Sequence, residues 1–125
     1  MRLLFVCVGN TCRSQIAEAL ARNRGHEAVS AGTDPGNRVA ENAIAILDEM
    51  GVNSEGLYPK SVDSVDLNGF DKTISMGCGV HCPSIPMDED WGLEDPVGRD
   101  LEFYRGVSNR IMGRLVILET NDTDA

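Results

Sequence analysis

The chain has 125 residues, four cysteines and a formal charge of −9, its 20 acidic residues outweighing 11 basic ones, nine of them arginine. That length makes one small domain that can bury a core without disulfide or metal staples, which leaves the cysteines free for chemistry. The absence of a basic stripe argues against nucleic-acid partners, and no apolar stretch reaches the roughly 18 residues of a membrane span, so a cytoplasmic setting with reduced thiols is expected.

Leu3, Leu4, Phe5, Val6 and Val8 form a near-continuous apolar run closed by Gly9, as in a strand buried on both faces of a parallel sheet. Ser14 to Arg24 carries Ile16, Ala17, Leu20 and Ala21 on one helical face and stops at Gly25. Glu27 to Ala31 reads as a second strand, followed by a turn from Gly32 to Gly36. Arg38 to Met50 repeats apolar residues at three and four and ends at Gly51, which predicts a helix. Residues 53 to 70 are polar and irregular, with a helical turn expected near Val62 to Val65. Lys72 to Met76 gives a third strand, and Trp91 to Leu93 a very short fourth. After Pro96 and Gly98, the residues Leu101, Tyr104, Ser108, Ile111 and Leu115 mark a last helix with Gly106 and Gly113 as weak points; Glu119 to Ala125 reads as a frayed acidic tail. Alternating strands and helices predict one three-layer α/β domain over 1–118, with a four-stranded parallel sheet, and a tail over 119–125.

In such sheets ligands sit at the carboxyl ends of the strands. Three features fall there: the loop "CVGNTCRS" (Cys7, Val8, Gly9, Asn10, Thr11, Cys12, Arg13, Ser14), the segment "GCGVHC" from Gly77 to Cys82, and Asp95-Pro96. A loop whose amides converge on a helix N-terminus holds an anion, and Gly9 and Asn10 tolerate the positive φ such a cradle needs. Arg13 adds a planar fork that matches two oxygens of a tetrahedral oxyanion. The same field stabilises a thiolate at Cys7, the form that attacks as a nucleophile, and Ser14 is placed to donate to it. Cys78, His81 and Cys82 also admit a zinc reading, but Cys-x3-Cys is not the common knuckle and no fourth ligand is evident, so no metal and no cofactor are expected. Asp95 reads either as a general acid or as ordinary punctuation, capping the last helix or beginning a turn.

"VCVGNTCRSQIAEAL" resembles the active-site loop and first helix of the low-molecular-weight tyrosine phosphatase superfamily; "SMGCGVHCPSIP" with "DWGLEDPVGR" resembles its thioredoxin-coupled arsenate reductase branch. The resemblance implies that Cys7 attacks arsenate, for which phosphate or sulfate would be an analogue, with Asp95 protonating the departing oxygen. Cys78 then attacks Cys7, and Cys82 attacks Cys78, leaving a Cys78–Cys82 disulfide for thioredoxin or a similar dithiol reductant. Residues four apart on a helical turn, as Cys78 and Cys82 are in sequence, lie about 6 Å apart at Cα, inside the disulfide window of roughly 4.4–6.8 Å. Some reductases of this type bind potassium beside the loop. Asn10, Glu18 and Ser30 match positions involved there, and Lys60 stands at the remaining acidic position, so either the ion or the Lys60 ammonium is expected. Cys12 is left with a structural role or none. Val97, where phosphatases usually carry an aromatic residue, departs from the phosphatase pattern. A low-molecular-weight tyrosine phosphatase is the second reading and an oxyanion- or redox-sensing binding module the third.

Overall fold

The computed structural model describes residues 1–77 and 85–124. Cys78, His81 and Cys82 lie outside the described residues.

Strand β1 (Arg2–Cys7) is the centre of the sheet. It pairs in parallel with β2 (Glu27–Gly32) on one side and β3 (Lys72–Ser75) on the other, and β3 carries the short edge strand β4 (Glu89–Asp90), giving the order β2-β1-β3-β4. Leu3, Leu4, Phe5 and Val6 have no exposed surface, as expected of a strand covered on both faces. The chain leaves β1 toward β2 and later returns to β1's other side, so the topological switch point lies between the carboxyl ends of β1 and β3. Cys7 and Gly77 emerge there.

Helices α1 (Arg13–Asn23), α2 (Glu41–Glu49) and α3 (Leu101–Asp124) share one apolar core with Leu3, Phe5 and Ile74. Ile16 and Leu20 of α1 are wholly buried in it; truncating either to alanine costs about 2–5 kcal/mol. Among the described residues the opposite face, built on Leu4, Val6 and Ala31, is packed by one 3-10 turn (Val62–Ser64) and by Val65, Phe70, Ile85 and Met87. Among the described residues no helix is long and apolar enough to cross a membrane.

Three expected boundaries move. The helix expected to open at Arg38 opens instead at Glu41, after an extended Ala40 (φ −62°, ψ 139°) whose N–H is committed to the Thr11 carbonyl (3.0 Å). The fourth strand is Glu89–Asp90 rather than Trp91–Leu93: Gly92 turns the chain with φ +58° after Trp91 donates to Ser75 O. Trp91 stays in the core, its ring 5.6 Å from that of Phe5. The segment expected as a tail from Glu119 continues α3 as far as Asp124, and Glu119 accepts from Arg24 Nε (2.8 Å) while lying 2.7 Å from His26 Nε2.

Candidate active site

The loop after β1 is held from outside by its carbonyls. Those of Cys7, Val8, Gly9 and Thr11 accept from the amides of Thr33, Asp34, Gly36 and Ala40, at 2.9–3.1 Å. Asn10 O accepts from Gln15 Nε2 (2.9 Å), and Cys12 O from Ile16 N (2.9 Å). With six successive carbonyls turned outward and occupied, the loop's amides are left to face inward, which is the geometry of an anion nest. Asn10 supplies the left-handed turn (φ 53°); Gly9 has no positive φ, so of the two residues expected to make the turn, Asn10 alone does. The close packing shows at Gly32, where a Cβ would come within 2.5 Å of Val8 O. Helix α1 then begins at Arg13 with no acidic residue in its first turn, so its positive end faces the nest uncompensated.

Cys7 is 3% exposed at the floor of the nest. Its Sγ accepts from Asn10 N (3.1 Å) and lies 2.9 Å from Ser14 Oγ. Asn10 Nδ2 donates to that same Ser14 Oγ (2.7 Å), which leaves the serine's own proton for the sulfur. Arg13 reaches across the mouth: its Nη1 donates to Leu93 O (2.8 Å) and Met76 O (3.2 Å), so Nε and Nη2 remain to grip an oxyanion. The resulting cavity, about 520 Å³, is lined by Cys7 to Arg13 together with Gly77, Leu93, Asp95 and Val97.

Asp95 stands exposed on the rim, and its Oδ1 accepts from Val97 N (3.0 Å). It does not cap the last helix. Asp100 does, through Phe103 N (3.0 Å), which removes the capping reading; the bond from Val97 N is the turn also expected at Asp95-Pro96, made by a residue that lines the cavity. Cys12 bonds to α3 instead of reacting parts of the loop: its Sγ lies 3.2 Å from the Tyr104 hydroxyl. Burial first, then the bond to Cys12 and the nearby Asp95 charge, hold the Tyr104 phenol well above its usual range, so it stays a neutral donor.

Behind the nest, Glu18 is buried with its Oε1 accepting from Ser30 N (2.7 Å) and Ser30 Oγ (3.0 Å). Lys60 Nζ stands 3.6 Å from that oxygen, and Arg22 Nη1 3.2 Å from the other. Asn10 turns its amide nitrogen toward Ser30 Oγ (2.9 Å) and gives its oxygen to Lys60 N (2.9 Å). A potassium ion does not fit these residues: the ammonium already faces the carboxylate, and Asn10 presents a donor where a cation needs an oxygen. Among the described residues no group of three or more His, Cys, Asp or Glu could hold a metal.

The structure therefore brings Cys7, Arg13 and Asp95 to one cavity, with Ser14 buried behind the Cys7 sulfur. Sequence reasoning missed Gln15, which ties Asn10 O to Tyr58 O (2.8 Å), and Tyr104, Met76 and Leu93. The spacing of Tyr104 marked it only as helix core, and carbonyl roles leave no residue-type signal.

A thiol set in an amide nest at the carboxyl end of a central parallel strand, under an arginine fork, defines a class of cysteine-nucleophile proteins that act on tetrahedral oxyanions. Residues 2–120 match the family model of the low molecular weight phosphotyrosine protein phosphatases, and the chain belongs to that family. It is 36% identical to the glutaredoxin arsenate reductase of Synechocystis sp., covering 91% of this chain and 92% of that one. A solved arsenate reductase in the phosphate binding state superposes with a TM-score of 0.86 at 34% identity, over 96% of this chain and 97% of the other. The low molecular weight protein tyrosine phosphatase from T. tengcongensis gives 0.80 at 31% identity, over 97% and 99%.

Proposed function

We propose that this protein reduces arsenate to arsenite through a Cys7, Cys78, Cys82 relay. One observation carries the reading: Gly77, the residue before Cys78 in the sequence, lines the cavity that holds Cys7, so the chain passes from the wall of that cavity into the second cysteine. The relatives named for arsenate reduction support it.

Arsenate enters the nest, and its charge is met by the loop amides, the α1 N-terminus and Arg13. Cys7 thiolate attacks arsenic; an oxygen leaves as water with a proton from Asp95, giving a Cys7–arsenic(V) adduct. Cys78 thiolate then attacks the Cys7 sulfur. The S–S bond forms, the S–As bond breaks, and its electron pair stays on arsenic, which departs as arsenite. Two thiols have supplied two electrons. Cys82 displaces Cys7 from Cys78, and an external dithiol reduces the Cys78–Cys82 disulfide. Thioredoxin is one such dithiol protein and glutaredoxin another, and the Synechocystis relative is named for the latter. A cytoplasmic location suits a relay that must start reduced. The Lys60 ammonium takes the place of a bound cation beside Asn10, Glu18 and Ser30.

The second reading is phosphomonoester hydrolysis, which needs only Cys7, Arg13 and Asp95, all present around the cavity. Substituting Cys78→Ser separates the two: multiple-turnover arsenate reduction is lost while any slow aryl-phosphate hydrolysis remains. Reduction at the native rate in that variant would overturn the relay.

A further inference from the structure

Arg13 Nη1 spends both of its N–H groups on backbone, one on Met76 O (3.2 Å) and one on Leu93 O (2.8 Å). Leu93 N in turn donates to Met76 O (3.0 Å). Three groups thus close a ring of hydrogen bonds at the base of the cavity, joining the oxyanion-binding arginine, the end of β3 and the turn that leads to Asp95. Gly77 sits against that ring. Its φ is +118°, a conformation side chains rarely adopt, and its N–H is held by Ser75 Oγ (3.1 Å). A Cβ there would meet Leu93 O at 3.0 Å, Leu93 N at 3.1 Å and Arg13 Nη1 at 3.3 Å. Two of these neighbours are backbone, and the third is a guanidinium fixed by two bonds, so none gives way freely.

We infer that Gly77 is a positioning residue: its bare backbone lets Arg13 clamp the ends of two segments at once, so that one guanidinium sets the oxyanion fork, the turn bearing Asp95 and the chain entering Cys78. The role of the last two rests on the reduction proposed above; the effect on oxyanion binding does not. Any side chain at 77 drives Leu93 and Arg13 apart and displaces the fork that remains on Nε and Nη2. Misplacement on this scale in a preorganised site is felt in binding and in rate together.

The test compares Gly77→Ala with Gly92→Ala. Gly92 is also left-handed (φ +58°) but has nothing within 4 Å of an added Cβ, so its variant carries backbone strain without the wedge. Thermal melts monitor folding, calorimetric titration with inorganic phosphate reads the oxyanion site, aryl-phosphate hydrolysis gives KM and kcat, and quench-flow gives the arsenite formed in a single turnover. Gly77→Ala should weaken phosphate binding and raise KM by about tenfold or more and slow the arsenite burst, while Gly92→Ala loses thermal stability with phosphate affinity and KM unchanged. Ser75→Ala, which removes the acceptor of the Gly77 amide without adding volume, should move phosphate affinity in the same direction by less, and decides the matter if Gly77→Ala does not fold. Folded Gly77→Ala with native phosphate affinity, KM and burst overturns the inference, as does Ser75→Ala with unchanged phosphate affinity if Gly77→Ala fails to fold. If the native protein forms no arsenite while Gly77→Ala still loses phosphate affinity, the reduction reading falls and the clamp stands.

Discussion

Ser14 Oγ lies 2.9 Å from Cys7 Sγ and accepts from Asn10 Nδ2 at 2.7 Å. A thiolate has no proton to give, so toward the attacking form of Cys7 the serine is the donor. A hydrogen bond to a charged acceptor contributes about 1.5–3 kcal/mol. Ser14→Ala should therefore slow alkylation of Cys7 by iodoacetamide at fixed, mildly acidic pH by at least about tenfold, and slow arsenate turnover in parallel. Mass spectrometry of the alkylated peptide gives the first rate; an unchanged rate would remove Ser14 from the site.

Tyr104 and Cys12 make a second pair whose effect is on stability. The phenol is buried and bonded to Cys12 Sγ at 3.2 Å, and its titration is pushed well above the usual 10. A raised folded value means that the folded protein holds the proton where the unfolded chain releases it. The contribution is fully present below pH 10 and is lost as pH climbs beyond it. Melting temperature should fall more steeply above pH 10 in the native protein than in Tyr104→Phe, which has no proton to lose. Tyr104→Phe itself should cost about 1 kcal/mol at neutral pH, measured by urea unfolding.

The Glu18 and Lys60 pair gives a test of the internal cation. Lys60→Ala leaves a carboxylate that is 1% exposed with Arg22 and Ser30 as its remaining partners, a loss of about 1–3 kcal/mol. With the ammonium gone and the Asn10 amide turned over to present its oxygen, potassium should stabilise the variant in melts that compare KCl with NaCl at equal ionic strength. The native protein should show no such preference; if it does, the ammonium is not the resident cation.

At the far end of α3, Glu119 is held at about 2, below its usual 4.5, chiefly by its hydrogen bond to Arg24, against the opposing effect of burial, and helped by His26. A depressed carboxyl contributes stability above its unfolded value, lost as pH falls from 4.5 toward 2. Glu119→Gln should be less stable than the native protein at pH 6 and approach it at pH 2.5, followed by chemical unfolding at each pH.

Much of this was readable from residue types. Leu3 to Val6 announced a doubly covered strand because apolar runs without alternation suit nothing else at that length, and Cys7 and Arg13 fell where a strand meets a helix. What escaped the sequence was tertiary in origin. Arg38 to Ala40 has helical spacing, yet it stays outside the helix, the Ala40 N–H being bound to the Thr11 carbonyl of the loop. Glu119 looked like part of a free acidic tail, and its partners, Arg24 and His26, lie more than ninety residues away. Asp95 is the cap expected for the last helix; the bond from Phe103 N goes to Asp100 instead, a choice between two nearby carboxylates that residue type does not make.

The central claim is that arsenic is reduced by thiols of this chain. The most direct measurement takes fully reduced protein, removes all external reductant and adds excess arsenate. The account predicts one arsenite per chain, the loss of two titratable thiols, and a disulfide that peptide mapping assigns to Cys78 and Cys82. No arsenite with all four thiols intact, or arsenite without thiol loss, would contradict it.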